Sequence, residues 1–335
     1  MKSRWSIDSY PTKVVILTGP TASGKTELLD ELFGRGAPRF FSSLRAGGKC
    51  NYDSAVIISA DSMQAYRGMD IGTAKPGVEL RLRLPHELID IKNPNEQYTA
   101  GEFANKTDKL CSTLSSQGRL PVVSGGTGFY LRTFVCGVPS APSADPLLRA
   151  AVAADLQNRG AQALRAELFA VDPKSAHRIH ERDIYRLTRA VEILRASGKA
   201  PSRFAPSIVP RQGYKFLIVG IERPRDELKA RISLRVQAMF DEGLFAEVEA
   251  LRDQGYTSSC PGLKAIGYRE FFEMEGSSLR EIADTISLHS LQYAKRQMTF
   301  LRALPGIVWI KPEAEKLNFL VQNFLHGSSL DNQSS

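Results

Sequence analysis

Apolar positions along the chain fall into short runs separated by longer amphipathic stretches. Four β-rich runs, Val14–Leu17, Val56–Ser59, Pro121–Val123 and Phe216–Val219, are bounded by glycine or polar residues, and a fifth, Ile307–Ile310, lies near the C-terminus. Between them the spacing is helical, as in Lys25–Phe33, Thr99–Gln117 and Arg225–Gln254. Such alternation predicts an α/β fold, a parallel sheet with helices on both faces. Ligands of these sheets bind beyond the carboxyl ends of the strands, so the residues directly after each run are candidate site residues.

The pattern breaks between the third and fourth runs. Val138–Pro146 is rich in proline and alanine. Helical segments Leu147–Arg159, Ala161–Val171, Pro173–His180 and Arg182–Ala196 follow, and Pro201–Pro210 closes the stretch. This predicts an inserted all-helical subdomain, residues 141–211, within a discontinuous core of residues 11–140 and 212–325. An elaborate crossover within one domain is the plainer alternative. Gly34–Ser54, rich in Gly, Ser and Arg, is expected to be a surface excursion outside the core, and residues 326–335 a disordered tail.

Composition narrows the class. Of 335 residues, 42% are hydrophobic, which suits a packed core. No apolar run approaches the roughly 20 residues of a membrane span. The segment MKSRWSIDSYPTK has no apolar stretch of the secretory kind. Four cysteines are scattered without a CxxC pair, which fits a reduced cytoplasm and disfavours a disulfide framework or a zinc site. A net charge of +8 suits an anionic partner such as nucleic acid, although many soluble enzymes are mildly basic.

Candidate chemistry gathers at the strand ends. Gly19-Pro20-Thr21-Ala22-Ser23-Gly24-Lys25-Thr26 follows a strand and opens a helix, and fits GxxxxGK[ST]. Its glycines let backbone N–H groups surround a phosphate, Lys25 reaches the outer oxygens, and the Thr26 hydroxyl can hold Mg²⁺. The loop recognises a diphosphate without specifying a nucleotide, so kinases, NTPases and enzymes expelling pyrophosphate all remain open. Asp61 ends the second run and is a candidate general base or Mg²⁺ ligand, with a helix N-cap as the plain alternative.

The third run ends in Ser124-Gly125-Gly126-Thr127-Gly128, which permits close backbone approach to a ligand, or makes a tight turn. Tyr66–Pro76 is polar, glycine-rich and expected to be a functional loop. Arg182, Arg186 and Arg189 share a helical face; Lys295, Arg296 and Arg302 cluster; Lys264 and Arg269 flank Gly267-Tyr268. These suit an RNA backbone, or simply solvent. His86 has no metal-spaced partner and reads as structural.

Three segments occur in order and are specific: residues 19–26, Ala60-Asp-Ser-Met-Gln-Ala-Tyr-Arg-Gly-Met-Asp-Ile-Gly-Thr-Ala-Lys-Pro76, and Gly125-Gly-Thr-Gly-Phe-Tyr130. Pro85-His86 with Ile89-Asp90-Ile91, Asp183–Ile193, Ala265-Ile-Gly-Tyr-Arg269 and Ala294-Lys-Arg-Gln297 follow. Together they resemble the tRNA dimethylallyltransferases, also called tRNA isopentenyltransferases, of bacterial type, over residues of about 13 to 310.

The resemblance implies a P-loop NTPase-like core with an inserted helical domain. It implies transfer of a dimethylallyl group from dimethylallyl diphosphate to N6 of the adenosine just 3′ of the anticodon, in tRNAs reading codons that begin with U. Mg²⁺ is the implied cofactor and tRNA the implied partner, with no membrane and no protein partner, in the cytoplasm. Carried over by position, Asp61 is the base, Thr127 lies near the reacting amine, and Lys25 stabilises the leaving group. Gly19, Pro20, Thr21, Ala22, Ser23, Gly24, Lys25, Thr26, Arg149 and Arg225 would hold the diphosphate. Asp61, Ser62, Met63, Gln64, Thr127, Arg149, Tyr185, Arg186, Leu187, Thr188, Arg189, Lys264, Ala265, Ile266, Gly267, Tyr268 and Arg269 would contact tRNA.

Two features depart from the family pattern: Gly34–Ser54 is longer than usual, and no cysteine–histidine zinc finger follows the core. The rival readings are a P-loop kinase of a small metabolite, a nucleotide-switched RNA-binding protein, and an adenylate isopentenyltransferase acting on free nucleotide.

Overall fold

The structure is a computed structural model and describes residues 11–46, 52–142, 145–205 and 207–327. The readings of the first ten residues and of the tail beyond Gly327 lie outside those residues. Two compact units appear: one formed by the chain up to Val135 and from Pro210 onward, the other by Cys136–Val209.

The larger unit is built on a six-stranded sheet. Its strands are β1 (Thr12–Thr18), β2 (Ser54–Ser59), β3 (His86–Glu87), β4 (Arg119–Gly125), β5 (Tyr214–Ile221) and β6 (Ile307–Ile310), in the order β3-β2-β4-β1-β5-β6. Every pairing is parallel. A parallel sheet covered on both faces needs apolar side chains pointing both ways, which is why its strands read as continuous runs. Val14, Val15, Ile16 and Leu17 are all buried accordingly. All carboxyl ends lie at one edge, and β1, flanked by β4 and β5, delivers its loop to the middle of it. Strand β3 is too short to carry a periodic signal, and the sequence reading misses it.

Two expectations are corrected here. Gly34–Ser54 is not a surface excursion: it holds the helix Ala37–Ala46, which buries Phe40, Phe41 and Leu44. Phe40 packs edge-on to Phe33 and Phe41, at centroid distances of 5.1 and 4.9 Å. The polar residues dominated the count, while three apolar positions at helical spacing carried the burial. Nor is Arg225–Gln254 one helix. It breaks into Arg225–Asp241 and Leu244–Asp253 at Gly243, whose φ of 100° no helix accepts.

The second unit is helical. Pro146–Val171 bends at Gly160 (φ 76°), and Pro173–Arg178 and Ile184–Ser197 follow. Val152, Leu164, Leu168, Leu187 and Val191 form its core. Arg195 braces it by pairing with Glu167 and Asp155, each at 2.7 Å. Asp183 caps the last long helix by accepting the Arg186 N–H. Arg182 therefore precedes that helix, and the expected face shared by Arg182, Arg186 and Arg189 loses its first member.

Candidate active site

The glycine-rich segment leaves β1 and turns into the helix Lys25–Leu29 through Gly24, held at φ 97°. Ala22 also sits in the left-handed region, at φ 59°, a conformation costing a non-glycine residue about 1–2 kcal/mol. Neighbours hold the strained loop. Arg223 Nε donates to the Ser23 carbonyl and Arg231 Nε to that of Ala22, each at 2.7 Å. Arg235 donates to the Thr21 hydroxyl at 3.1 Å. Gln297 accepts the Thr21 N–H at 2.8 Å and donates to the Gly126 carbonyl at 2.9 Å.

Lys25 Nζ lies inside the loop, donating to the carbonyls of Gly19 (3.0 Å) and Pro20 (2.8 Å). Burial, and then the Arg235 cation beside it, lower its pKa from 10.5 to about 8. The Asp61 carboxylate opposes that shift, which places it within electrostatic reach of Lys25.

Asp61 follows β2 and caps no helix. Its Oδ1 accepts the Met63 N–H at 2.9 Å, closing a local Asx turn. The turn is fastened to the end of β4, because the Ser62 N–H donates to Thr127 Oγ1 at 3.0 Å and the Thr127 N–H donates to the Ala60 carbonyl at 3.2 Å. Gly125 makes this approach feasible, since a Cβ there would lie 2.3 Å from the Ala60 carbonyl group. Tyr293 completes the cluster. Its hydroxyl is hydrogen-bonded to Thr127 and Gln297, and burial together with the Asp61 charge pushes its pKa up to about 12.

Two adjoining cavities meet at these residues. The first, about 640 Å³, is lined by Thr21–Glu27 and by Asp61, Lys75, Arg231 and Arg235. The second, about 390 Å³, is lined by Ser62, Met63, Lys264, Ile266, Arg269 and Arg296 among others. Thr21, Asp61, Thr73, Arg235 and Tyr293 belong to both. One carboxylate thus stands between the glycine-rich loop and a second, cation-rimmed space.

The other predicted residues divide. Arg225 is exposed and lines neither cavity; the arginines on the loop are Arg223, Arg231 and Arg235. Gln64 points inward, its amide donating to the carbonyls of Thr73 and Ala74. Tyr268 and Leu187 are fully buried and pack as structure, while Ala265, nearly buried, still lines the second cavity. Gly267 takes φ 99° against the Gly72 carbonyl. In the helical unit, Tyr185 is 80% exposed, Arg186 is exposed and Thr188 is half-buried. Arg149 there lies 3.9 Å from Glu192, while Arg189 is occupied by Glu192 and the Pro142 carbonyl. The sequence reading missed Arg231, Arg235 and Tyr293, and had Gln297 only as the end of a family-matching segment, with no role. Each pair stands at i, i+4 on one helix, the only signal available.

Among the described residues no group of three His, Cys, Asp or Glu side chains could hold a metal ion. Thr26 and Asp61 do line the first cavity. One hydroxyl and one carboxylate fit a Mg²⁺ ion held mainly by phosphate oxygens and water.

A parallel sheet with a phosphate loop at its centre and an acidic neighbouring strand end defines the class: a P-loop NTPase-like α/β protein. The family model "IPPT: IPP transferase" matches residues 64–304. The chain is 39% identical over 303 residues to the tRNA dimethylallyltransferase of Geobacter sulfurreducens, covering 90% of this chain and 92% of that one. It is 40% identical to that of Anaeromyxobacter dehalogenans, covering 90% and 95%. Among solved structures, the tRNA isopentenylpyrophosphate transferase of Bacillus halodurans superposes with a TM-score of 0.63 at 33% identity, covering 94% of this chain and 96% of that one. A eukaryotic dimethylallyltransferase acting on tRNA shares the fold, with a TM-score of 0.79 at 22% identity, covering 96% and 81%. The chain belongs to the IPP transferase family.

Proposed function

We propose that this chain is a tRNA dimethylallyltransferase that moves a dimethylallyl group from dimethylallyl diphosphate to N6 of the adenosine 3′ of the anticodon, in tRNAs reading codons that begin with U. The observation carrying this reading is the position of Asp61, shared by the phosphate-loop cavity and the cavity beside Lys264, Ile266 and Arg269.

The diphosphate sits on the loop amides of residues 19–26, with Lys25 and Arg235 beside it. As the bond from the prenyl carbon to oxygen breaks, negative charge collects on the departing pyrophosphate, where these cations stabilise it. The adenine extrudes from the anticodon-loop stack into the second cavity. Its N6 attacks the prenyl carbon, and Asp61 accepts the N–H proton. Thr127 holds the Ser62 N–H, and so the turn that aims Asp61. Thr26 would hold Mg²⁺ through its hydroxyl, and the ion when bound would supply neutralisation of leaving-group charge. The exposed Tyr185 and Arg186 offer stacking and phosphate contacts to the tRNA.

No protein partner is needed for these steps. No helix of the described residues is long and apolar enough to cross a membrane.

The test is mass spectrometry of nucleosides from unmodified tRNA incubated with protein, Mg²⁺ and dimethylallyl diphosphate, beside an AMP control. Prenylated adenosine in tRNA alone is expected. Product on AMP alone would move the chain to the free-nucleotide enzymes, and phosphate transfer from ATP would make it a kinase.

A further inference from the structure

The Tyr66–Pro76 loop builds part of both cavities: Gly72 and Thr73 line the second, and Thr73–Pro76 the first. An irregular loop has no ladder to satisfy its backbone donors, so each N–H needs a partner elsewhere. Three successive N–H groups, those of Asp70, Ile71 and Gly72, donate to one carboxylate, Glu247, at 2.9, 2.9 and 3.3 Å. The Tyr268 hydroxyl donates to the same carboxylate at 2.6 Å. Tyr268 is fully buried, and its ring lies so near Gly72 that a Cβ there would fall 2.5 Å from it. At the loop's other end Lys75 bonds the Tyr66 carbonyl (2.7 Å), Asp90 (2.6 Å) and Asp70.

From this turn a line of hydrogen bonds runs to the carboxylate of the site. Gln64 Nε2 donates to the Thr73 and Ala74 carbonyls at 3.4 and 3.3 Å. The Ser59 hydroxyl donates to Gln64 Oε1 at 3.0 Å, and Ser59 Oγ accepts the Asp61 N–H at 3.4 Å. Glu247 itself lines neither cavity.

We propose that Glu247 is a positioning residue for the transfer reaction: it fixes the turn Asp70–Gly72, and through Gln64 and Ser59 it sets where Asp61 stands. The inference rests on the reading of Asp61 as the base. A carboxylate is the one side chain that accepts from both ends of such a turn without presenting a donor of its own. Glutamine keeps the shape but turns an NH₂ toward the backbone N–H groups, so the turn must shift. A displacement of about an ångström at a reacting group costs on the order of 10² in rate.

The experiment compares wild type, Glu247→Gln, Glu247→Asp and Tyr268→Phe as full-length protein. It reads kcat, KM for each substrate, Tm, and amide exchange by mass spectrometry. Glu247→Gln should lose on the order of 10² in kcat, with a much smaller change in KM for dimethylallyl diphosphate, because Glu247 touches none of residues 19–26. Exchange should rise over residues 66–76 and not over 19–26, and Glu247→Asp should recover part of kcat. A lowered Tm with wild-type kcat would make Glu247 merely structural and overturn the proposal. Should wild type itself yield no prenylated adenosine, the transfer reading falls, and the positioning proposal falls with it. Wild-type protection of residues 66–76 in Glu247→Gln would then separately remove the clamp.

Discussion

The backbone N–H of Ser62 is bound by the side chain of Thr127, 65 positions further along the chain, at 3.0 Å. Two strand ends are thereby locked, and the Asp61 turn is held between them. Thr127→Val removes the acceptor at similar size and strands a part-buried N–H, a loss of about 1–3 kcal/mol. Thr127→Ser keeps the acceptor and should stay near wild type. Urea unfolding of the pair measures the difference, and equal midpoints would show that the bond does not matter.

Asp61→Asn should bind both substrates yet lose kcat by roughly 10²–10⁴, the usual worth of a general base. Single-turnover kinetics separate this from a binding defect. A full-rate Asp61→Asn enzyme would remove the base assignment.

Lys25 makes the first cavity pH-dependent. Its amine titrates near 8 in the folded chain, against 10.5 ordinarily. A diphosphate needs the cation, so affinity for dimethylallyl diphosphate should fall as pH rises through about 8. Lys25→Arg should abolish that inflection, because a guanidinium does not titrate there. The stability effect has the opposite sign. The unfolded chain holds this proton up to 10.5 while the folded one releases it near 8, so this group's contribution rises with pH between those values. Calorimetric titration across the range reads the first effect, and a flat profile would refute it.

Gly125→Ala drives a Cβ to within 2.3 Å of the Ala60 carbonyl, backbone that cannot step aside. Overpacking of this kind typically costs about 1–3 kcal/mol. Here it should also separate β2 from β4 at the point where Asp61 begins. Thermal unfolding and kcat should fall together; a stable variant that lost only affinity for tRNA would contradict this.

The cations of the helix Ile184–Ser197 should behave unequally. Arg186 is exposed and among the described residues pairs with Asp183, at 3.4 Å, whereas Arg189 is spent on Glu192 and the Pro142 carbonyl. Arg186→Ala should reduce the salt slope of tRNA binding by about one, the signature of one phosphate contact. Arg189→Ala should chiefly lower stability. Equal slopes for both variants would assign them the same surface.

The sheet was legible because fully buried parallel strands leave unbroken apolar runs, and the strand-to-helix placement of residues 19–26 because glycine, lysine and threonine stand at fixed spacing behind one of them. The buttress was not. Arg231, Arg235 and Gln297 come from helices more than 200 residues beyond the loop they hold, and no local pattern ties them to that loop. Tyr268 misled in the opposite sense: its motif suggested recognition, whereas its burial against Gly72 shows a packing part. The segment after Gly34 misled through composition, because its glycines and arginines outnumber the few aromatic side chains that anchor it.

The bond between Thr21 and Gln297 joins positions 276 residues apart. A ribosome making this chain exposes the glycine-rich segment early, yet the residue that steadies it arrives only after most of the polypeptide has been synthesised. The growing chain therefore lacks this brace through most of translation, and the glycine-rich loop gains it only once the long helix Leu279–Leu301 has emerged and docked.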